Sequence, residues 1–187
     1  MSNAFDTYFY HLINQRLAAG WLDPVMIQLS NKYFWIPFYA FLTYLVSWHF
    51  GKKAWLIIMY MFLAILLSDR STSGLLKPLV GRTRPCHEAY LTPRHVEGID
   101  CSDTGSMASS HAANHFAVAV FMICLYGTRK RWVVVFWIAW AALVAYSRVY
   151  LGVHYPTDVL VGGLIGAVFG LLTFNLYKLS IRKLRWE

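Results

Sequence analysis

The chain has 187 residues, of which 58% are hydrophobic, 17% aromatic and only 14% charged, with a net charge of +8. Soluble domains carry about a quarter charged residues, so the composition sets aside an ordinary soluble domain and points to a membrane protein. The positive balance does not indicate nucleic acid: there is no basic arm and no recognition motif, and Lys and Arg lie in short clusters between apolar runs.

In chain order, the first residues lack a basic start followed by an uninterrupted apolar stretch, so no cleaved signal peptide is expected. Over residues 4–32 apolar residues recur at helical spacing, interrupted by Asp6, Arg16, Asp23 and Pro24. They read as an amphipathic helix lying at the interface and then a short helix, with a sixth crossing as the alternative. Five apolar runs follow at 34–50, 54–76, 110–128, 131–148 and 156–178, each long enough for a transmembrane helix. Gly162, Gly166 and Gly170 leave one face of the last run bare, which suits close helix packing. Cys124 lies inside an apolar run and reads as packing. Cys86 and Cys101 flank one polar loop and could pair if that loop faces an oxidising compartment. The expected architecture is all-α: one membrane-embedded domain over 1–187, with interfacial helices over 1–33, a bundle of five helices and an outer loop over 77–109. No internal repeat stands out.

Orientation follows from charge. Lys52 and Lys53, then Arg129, Lys130 and Arg131, then Lys178, Arg182, Lys183 and Arg185 fall on one side of a five-span chain, which is then cytoplasmic. The loop 77–109 and the turn 147–155 fall on the other side.

Three polar islands share that outer face. The first is KPLVGRTRP (77–85), in which Lys77 and Arg84 end one span and enter the loop. The second is MASSHAANH (107–115), where Ser109 or Ser110 can cap the next helix and His111 sits in its first turn. The third, within YSRVYLGVHYPTD (146–158), holds Arg148 at a helix end, His154 before the next helix and Asp158 in its first turn, with Pro156 suited to the first helical position. Taken singly, such a histidine is usually structural, and a Lys or Arg at a span's end is usually a snorkelling anchor. Anchoring does not require three polar islands on the side that lacks the positive-inside bias. Together they offer three cations, two helix N-termini, hydroxyls and two histidines, the makings of a phosphate or other oxyanion site. Asp158 can orient His154 through one ring nitrogen and leave the other free to attack, while His111 can protonate a leaving oxygen.

Lys77-x6-Arg84-Pro85, then Ser109-Ser110-His111, then Ser147-Arg148-x5-His154-x3-Asp158 resemble the three-part signature of the type 2 phosphatidic acid phosphatases, the PAP2 superfamily, whose soluble relatives are vanadium haloperoxidases. The resemblance implies a PAP2/haloperoxidase-like helical core. It also implies that Lys77, Arg84, Arg148, Ser109 and nearby backbone N–H groups hold the phosphate. His154 would become phosphohistidine, oriented by Asp158, and His111 would protonate the leaving group. No metal or other cofactor is expected, because fixed cations neutralise the charge that magnesium neutralises elsewhere. One position departs from the family: its middle motif usually reads Pro-Ser-Gly-His, and Ala108-Ser109-Ser110-His111 stands here. Ser110 can still offer its N–H to phosphate, but its side chain must point away.

Two rival readings use the same residues. His111 and His115, four apart on a helix, have a spacing that can chelate zinc, but the glutamate of the zinc-protease motif is missing between them. A non-enzymatic anion or lipid transporter would usually show duplicated halves, and none is visible. Haloperoxidase chemistry is disfavoured at a site facing a bilayer. Asp69 and Arg70 read as an internal ion pair. Likeness to bacterial relatives places the protein in the cytoplasmic (inner) membrane with its site facing the periplasm or outside. It makes undecaprenyl pyrophosphate the leading substrate, with phosphatidic acid, phosphatidylglycerol phosphate and lipid A phosphate as alternatives. The oligomeric state is not legible.

Overall fold

Large apolar side chains sit all round the long helices, not on one stripe: Trp48 and Trp132 are more than 70% exposed and Leu164 is 68% exposed. A soluble fold would not leave such a surface to water; here lipid covers it. The computed structural model describes residues 3–127 and 130–184, and among these no strand occurs. Arg129 and Arg185, two members of the expected basic clusters, lie outside the described residues.

Helix α1 (Ala4–His11) runs on as a wider π turn over Leu12–Arg16, and α2 (Asp23–Ser30) follows. At about 1.5 Å per residue each is short against a bilayer core of about 30 Å, and the segment forms two short helices at one end of the bundle. Then come α3 (Ile36–Phe50), α4 (Ala54–Asp69), α6 (Ser110–Tyr126), α7 (Arg131–Tyr150) and α8 (Pro156–Lys183), the bundle itself. By length and composition the stretches Lys32–His87, Arg131–Tyr150 and Pro156–Lys183 can cross a membrane, and Ser110–Tyr126 is a shorter apolar helix. The first stretch folds back on itself at Gly51, where φ is +51°. α4 continues through a π turn at Arg70–Leu76 into the short α5 (Lys77–Val80), which stops at the left-handed Gly81.

α6 is the central helix, packed against α4, α7 and α8. A Cβ on Gly162, Gly166 or Gly170 would collide with the carbonyl oxygens of Ser109, Ala113 and Ala117 respectively. The bare glycine face therefore lets α8 lie directly on the α6 backbone, as the four-residue repeat implied. Elsewhere the core is aromatic and aliphatic: Trp140 meets Trp35 and Trp137 edge-on and Phe38 at a tilt, and Trp35 meets Phe38 edge-on.

The alternation of helices gathers the basic clusters at one end. Phe50 meets Tyr126, and Tyr60 hydrogen-bonds Ser180, so the turn bearing Lys52 and Lys53, the turn bearing Lys130 and Arg131, and the end of α8 lie together. The three polar islands lie at the opposite end. The protein is a membrane protein.

Candidate active site

The turn between α7 and α8 is tied by the Arg148 carbonyl, which accepts the N–H groups of Val153 and His154, both at 3.2 Å. This sets His154 just ahead of α8. Asp158 stands one turn inside, fully buried, and its Oδ2 accepts the Tyr155 N–H at 2.8 Å, closing a capping box. The same Oδ2 lies 3.5 Å from His154 Nδ1, somewhat longer than a well-formed hydrogen bond. His154 is 2% exposed. Burial pushes its imidazole down to about 4, against the pull of the Asp158 carboxylate. The ring is neutral at physiological pH, with Nδ1 towards Asp158 and Nε2 left as the basic atom.

Ser109 caps α6 through its side chain, and its own N–H donates to the Asp158 carbonyl at 3.0 Å. Gly162 allows that approach, since its missing side chain is where the Ser109 carbonyl sits. Two helix N-termini are thus held side by side, with their free N–H groups near each other. Ser110 turns its hydroxyl to Ser73 and Thr72, at 2.6 and 3.1 Å.

Three cations converge here. Arg84 is 5% exposed and pinned by the Thr104 carbonyl and hydroxyl and the Val153 carbonyl, at 2.9, 3.1 and 3.2 Å. Arg148 bonds the Ser30 hydroxyl, while its Nε has no partner among the described residues. Lys77 feels the charges of Arg84 and Arg148, and His111 those of Arg148, Lys77 and His154. Gathering so many cations out of water is unfavourable unless an anion sits among them. Lys77, Ser110 and His111 line a cavity of about 390 Å³ that Asp69, Ser73 and Asn114 complete. All eight residues expected from the sequence therefore meet at one end of the bundle.

The family model of the PAP2 superfamily matches residues 53–182. The chain belongs to the PAP2 superfamily. A lipid A 4'-phosphatase of Bacteroides thetaiotaomicron is 37% identical over 181 residues, 95% of this chain and 79% of that protein. An undecaprenyl-diphosphatase of Sulfolobus acidocaldarius is 30% identical over 175 residues, 92% of this chain and 78% of that protein. The crystal structure of a transmembrane PAP2 type phosphatidylglycerolphosphate phosphatase from Bacillus subtilis matches with a TM-score of 0.67 at 23% identity, covering 92% of this chain and 84% of that one, and so shares the fold. The protein is a membrane phosphatase of the PAP2 lipid phosphatase family.

Within this PAP2 fold, other expectations resolve differently. His115 points its Nδ1 at the His111 carbonyl, 2.9 Å away, and its ring packs against Trp35 and Trp140, so it supports the helix. Asp69 and Arg70 form no ion pair among the described residues: Arg70 is exposed, and Asp69 faces Ser73 and Asn114. Consecutive residues on a helix do not face each other, so the two side chains point apart. Cys86 and Cys101 form a disulfide with Cα atoms 6.1 Å apart.

The sequence reading missed Arg82. Its guanidinium donates to Asp158 Oδ1 and the Thr157 hydroxyl at 2.9 and 2.8 Å and to Asp6 Oδ2 at 2.6 Å, and it stacks 3.8 Å over the Tyr155 ring. Asp6 also accepts the Thr157 N–H and hydroxyl, at 2.8 and 2.6 Å. The carboxylate that faces His154 is thereby tied to the first helix of the chain. A third cation in KPLVGRTRP and an acid in an amphipathic helix were the available signals.

Proposed function

We propose that this PAP2 protein is a metal-independent lipid phosphate phosphatase that works through a phosphohistidine, with its site opening at the outer face of the cytoplasmic membrane. The carrying observation is a buried, neutral His154 held against Asp158 among Lys77, Arg84 and Arg148 and beside the α6 N-terminus. The phosphate lies among the three cations and the N–H groups at Ser109 and Ser110. His154 Nε2 attacks phosphorus, the bond to the lipid oxygen breaks, and His111 gives that oxygen its proton. Water, deprotonated by His111, then attacks the phosphohistidine and releases phosphate and neutral His154. Lys77, Arg84 and Arg148 supply the charge neutralisation that a metal supplies in other phosphoryl transfers. The basic clusters at the far end of the bundle support the outward orientation.

For the substrate, the lipid A 4'-phosphatase relative supports a phosphomonoester of the lipid A type, ahead of the undecaprenyl pyrophosphate favoured by sequence alone. Undecaprenyl diphosphate stays as the second reading, supported by the undecaprenyl-diphosphatase relative. The test is phosphate release by purified protein in detergent with EDTA present, from lipid A 4'-phosphate, farnesyl pyrophosphate and phosphatidic acid. Wild type is expected to release phosphate despite the chelator, and His154→Ala to lose at least about 1,000-fold, as nucleophile removal does elsewhere. Release that vanishes with EDTA, or that survives His154→Ala, sinks the mechanism.

A further inference from the structure

In-line transfer puts the leaving oxygen on the side of phosphorus opposite the attacking nitrogen. His154 is buried and does not line the 390 Å³ cavity, whereas His111 does. On the proposed mechanism, the part of the substrate that departs therefore occupies this cavity. Beyond Lys77, Ser110 and His111 its polar wall includes Asp69 and Ser73, which lie outside the three islands, and Asn114, which lies inside the second. Asp69 is poorly satisfied. Its Oδ1 has only 3.5 Å contacts from the Ser73 hydroxyl and the Asn114 amide, and no ion pair joins it among the described residues. Asn114 Oδ1 is buried with no partner. An under-bonded carboxylate and a lone amide oxygen are acceptors waiting for donors. They stand in a cavity otherwise built for an anion, where a negative charge weakens phosphate binding unless it has another use. Two cations share this wall: Lys77, a member of the proposed phosphate site that feels the Asp69 charge, and Lys32, which is exposed and lies 5.0 Å over the Tyr33 ring, where water and salt screen it.

We propose that Asp69 and Asn114 select the leaving group: they accept hydrogen bonds from the hydroxyls of a sugar or polyol headgroup, and the Asp69 charge turns away the phosphate that a diphosphate leaves behind. The inference rests on the phosphatase reading above and deepens it to a class, phosphomonoesters of hydroxyl-bearing lipids. Sites built to bond hydroxyls reject analogues that lack them, because their own polar groups are then left unpaired.

The experiment compares kcat/KM for lipid A 4'-phosphate, whose sugar keeps free hydroxyls, with phosphatidic acid and farnesyl pyrophosphate. The proteins are wild type, Asp69→Asn, Asp69→Glu and Asn114→Ala. Wild type prefers lipid A 4'-phosphate to farnesyl pyrophosphate. In Asp69→Asn that preference falls about tenfold or more, the size of one charged contact. Asp69→Glu, which keeps the charge, retains most of it. Asn114→Ala narrows the gap between lipid A 4'-phosphate and phosphatidic acid. A wild type that prefers the diphosphate overturns the inference without needing any variant, as does an Asp69→Asn change that scales all three substrates equally. No release from any substrate by wild type, or a fully active His154→Ala, overturns the phosphatase reading instead and takes this inference with it.

Discussion

On the proposed mechanism His154 attacks because of where it is kept. An exposed imidazole titrates near 6.5, about half charged under mildly acid conditions, and burial holds this one down to about 4. The nitrogen proposed to attack is therefore unprotonated across the whole physiological range, and the acid limb of the rate profile is expected below pH 5. Phosphate release measured from pH 4 to 8 checks this; an acid limb centred at 6.5 would mean the ring is open to water. The sign for stability runs the same way. Between about 4 and 6.5 the unfolded chain binds the proton that folded His154 refuses, so stability falls as the pH drops through that window and is unaffected above it. At this scale the sequence was legible where chemistry and local spacing coincide. Arg148, His154 and Asp158 sit within one turn and its flanks, and a motif can hold them. Arg82 and Asp6 were not legible, because their meaning lies in a bridge across 76 positions of chain.

Among the elements, the contact of α6 with α8 decides the site's geometry. The glycine face brings backbone against backbone, and its first member, Gly162, sits where Ser109 ties to Asp158. A side chain on this face must push the two helix N-termini apart. Gly166→Val is expected to destabilise by about 1–3 kcal/mol or more, as overpacking does, and to cut phosphate release with it. Gly163 is the internal control, for a Cβ there meets only the Phe116 ring, at 3.2 Å, which can turn. Melting curves and initial rates of Gly166→Val beside Gly163→Ala check this; equal losses would show that the stripe is not what spaces the helices. The five long helices were readable from hydropathy to within a few residues, since length and apolar content are what a bilayer demands. The end of α4 was not: the span expected to 76 is α-helical only to Asp69 and then widens into a π turn over Arg70–Leu76. The N-terminal segment read as interrupted by Asp6 and Asp23, yet both are anchors, Asp6 to Arg82 and Asp23 to Arg94 at 2.7 and 2.8 Å.

For the molecule as a whole, the end of the bundle that carries the site is closed by chain that lies outside the bundle. Asn14 donates to the Tyr150 carbonyl at 2.8 Å, and Tyr150 bonds Asp23 at 2.6 Å, so both short helices grip the end of α7. The loop after α5 is fastened by the Cys86–Cys101 bridge, which spans 15 positions and encloses the stretch leading to Thr104, the residue that pins Arg84. Closing a loop of that size contributes about 3 kcal/mol on the chain-entropy account. Cys86→Ser, or reductant added to wild type, is expected to lower the melting temperature in detergent and to weaken substrate binding more than turnover, as Arg84 loses its fixed position. An unchanged melting curve would mean that the loop is held by its other contacts. From sequence the pairing stood open, because it depends on which side of the membrane the loop faces.

The tie from Asp6 through Arg82 to Asp158 also bears on how the protein can be handled. Helix α1 begins at Ala4, so an affinity tag or fusion partner joined ahead of Asn3 would hang within a turn of the carboxylate that holds this tie. One joined beyond α8 would stand at the far end of the bundle, across the thickness of the membrane from the reacting histidine. A handle on the far side of α8 is therefore the one that leaves this tie alone.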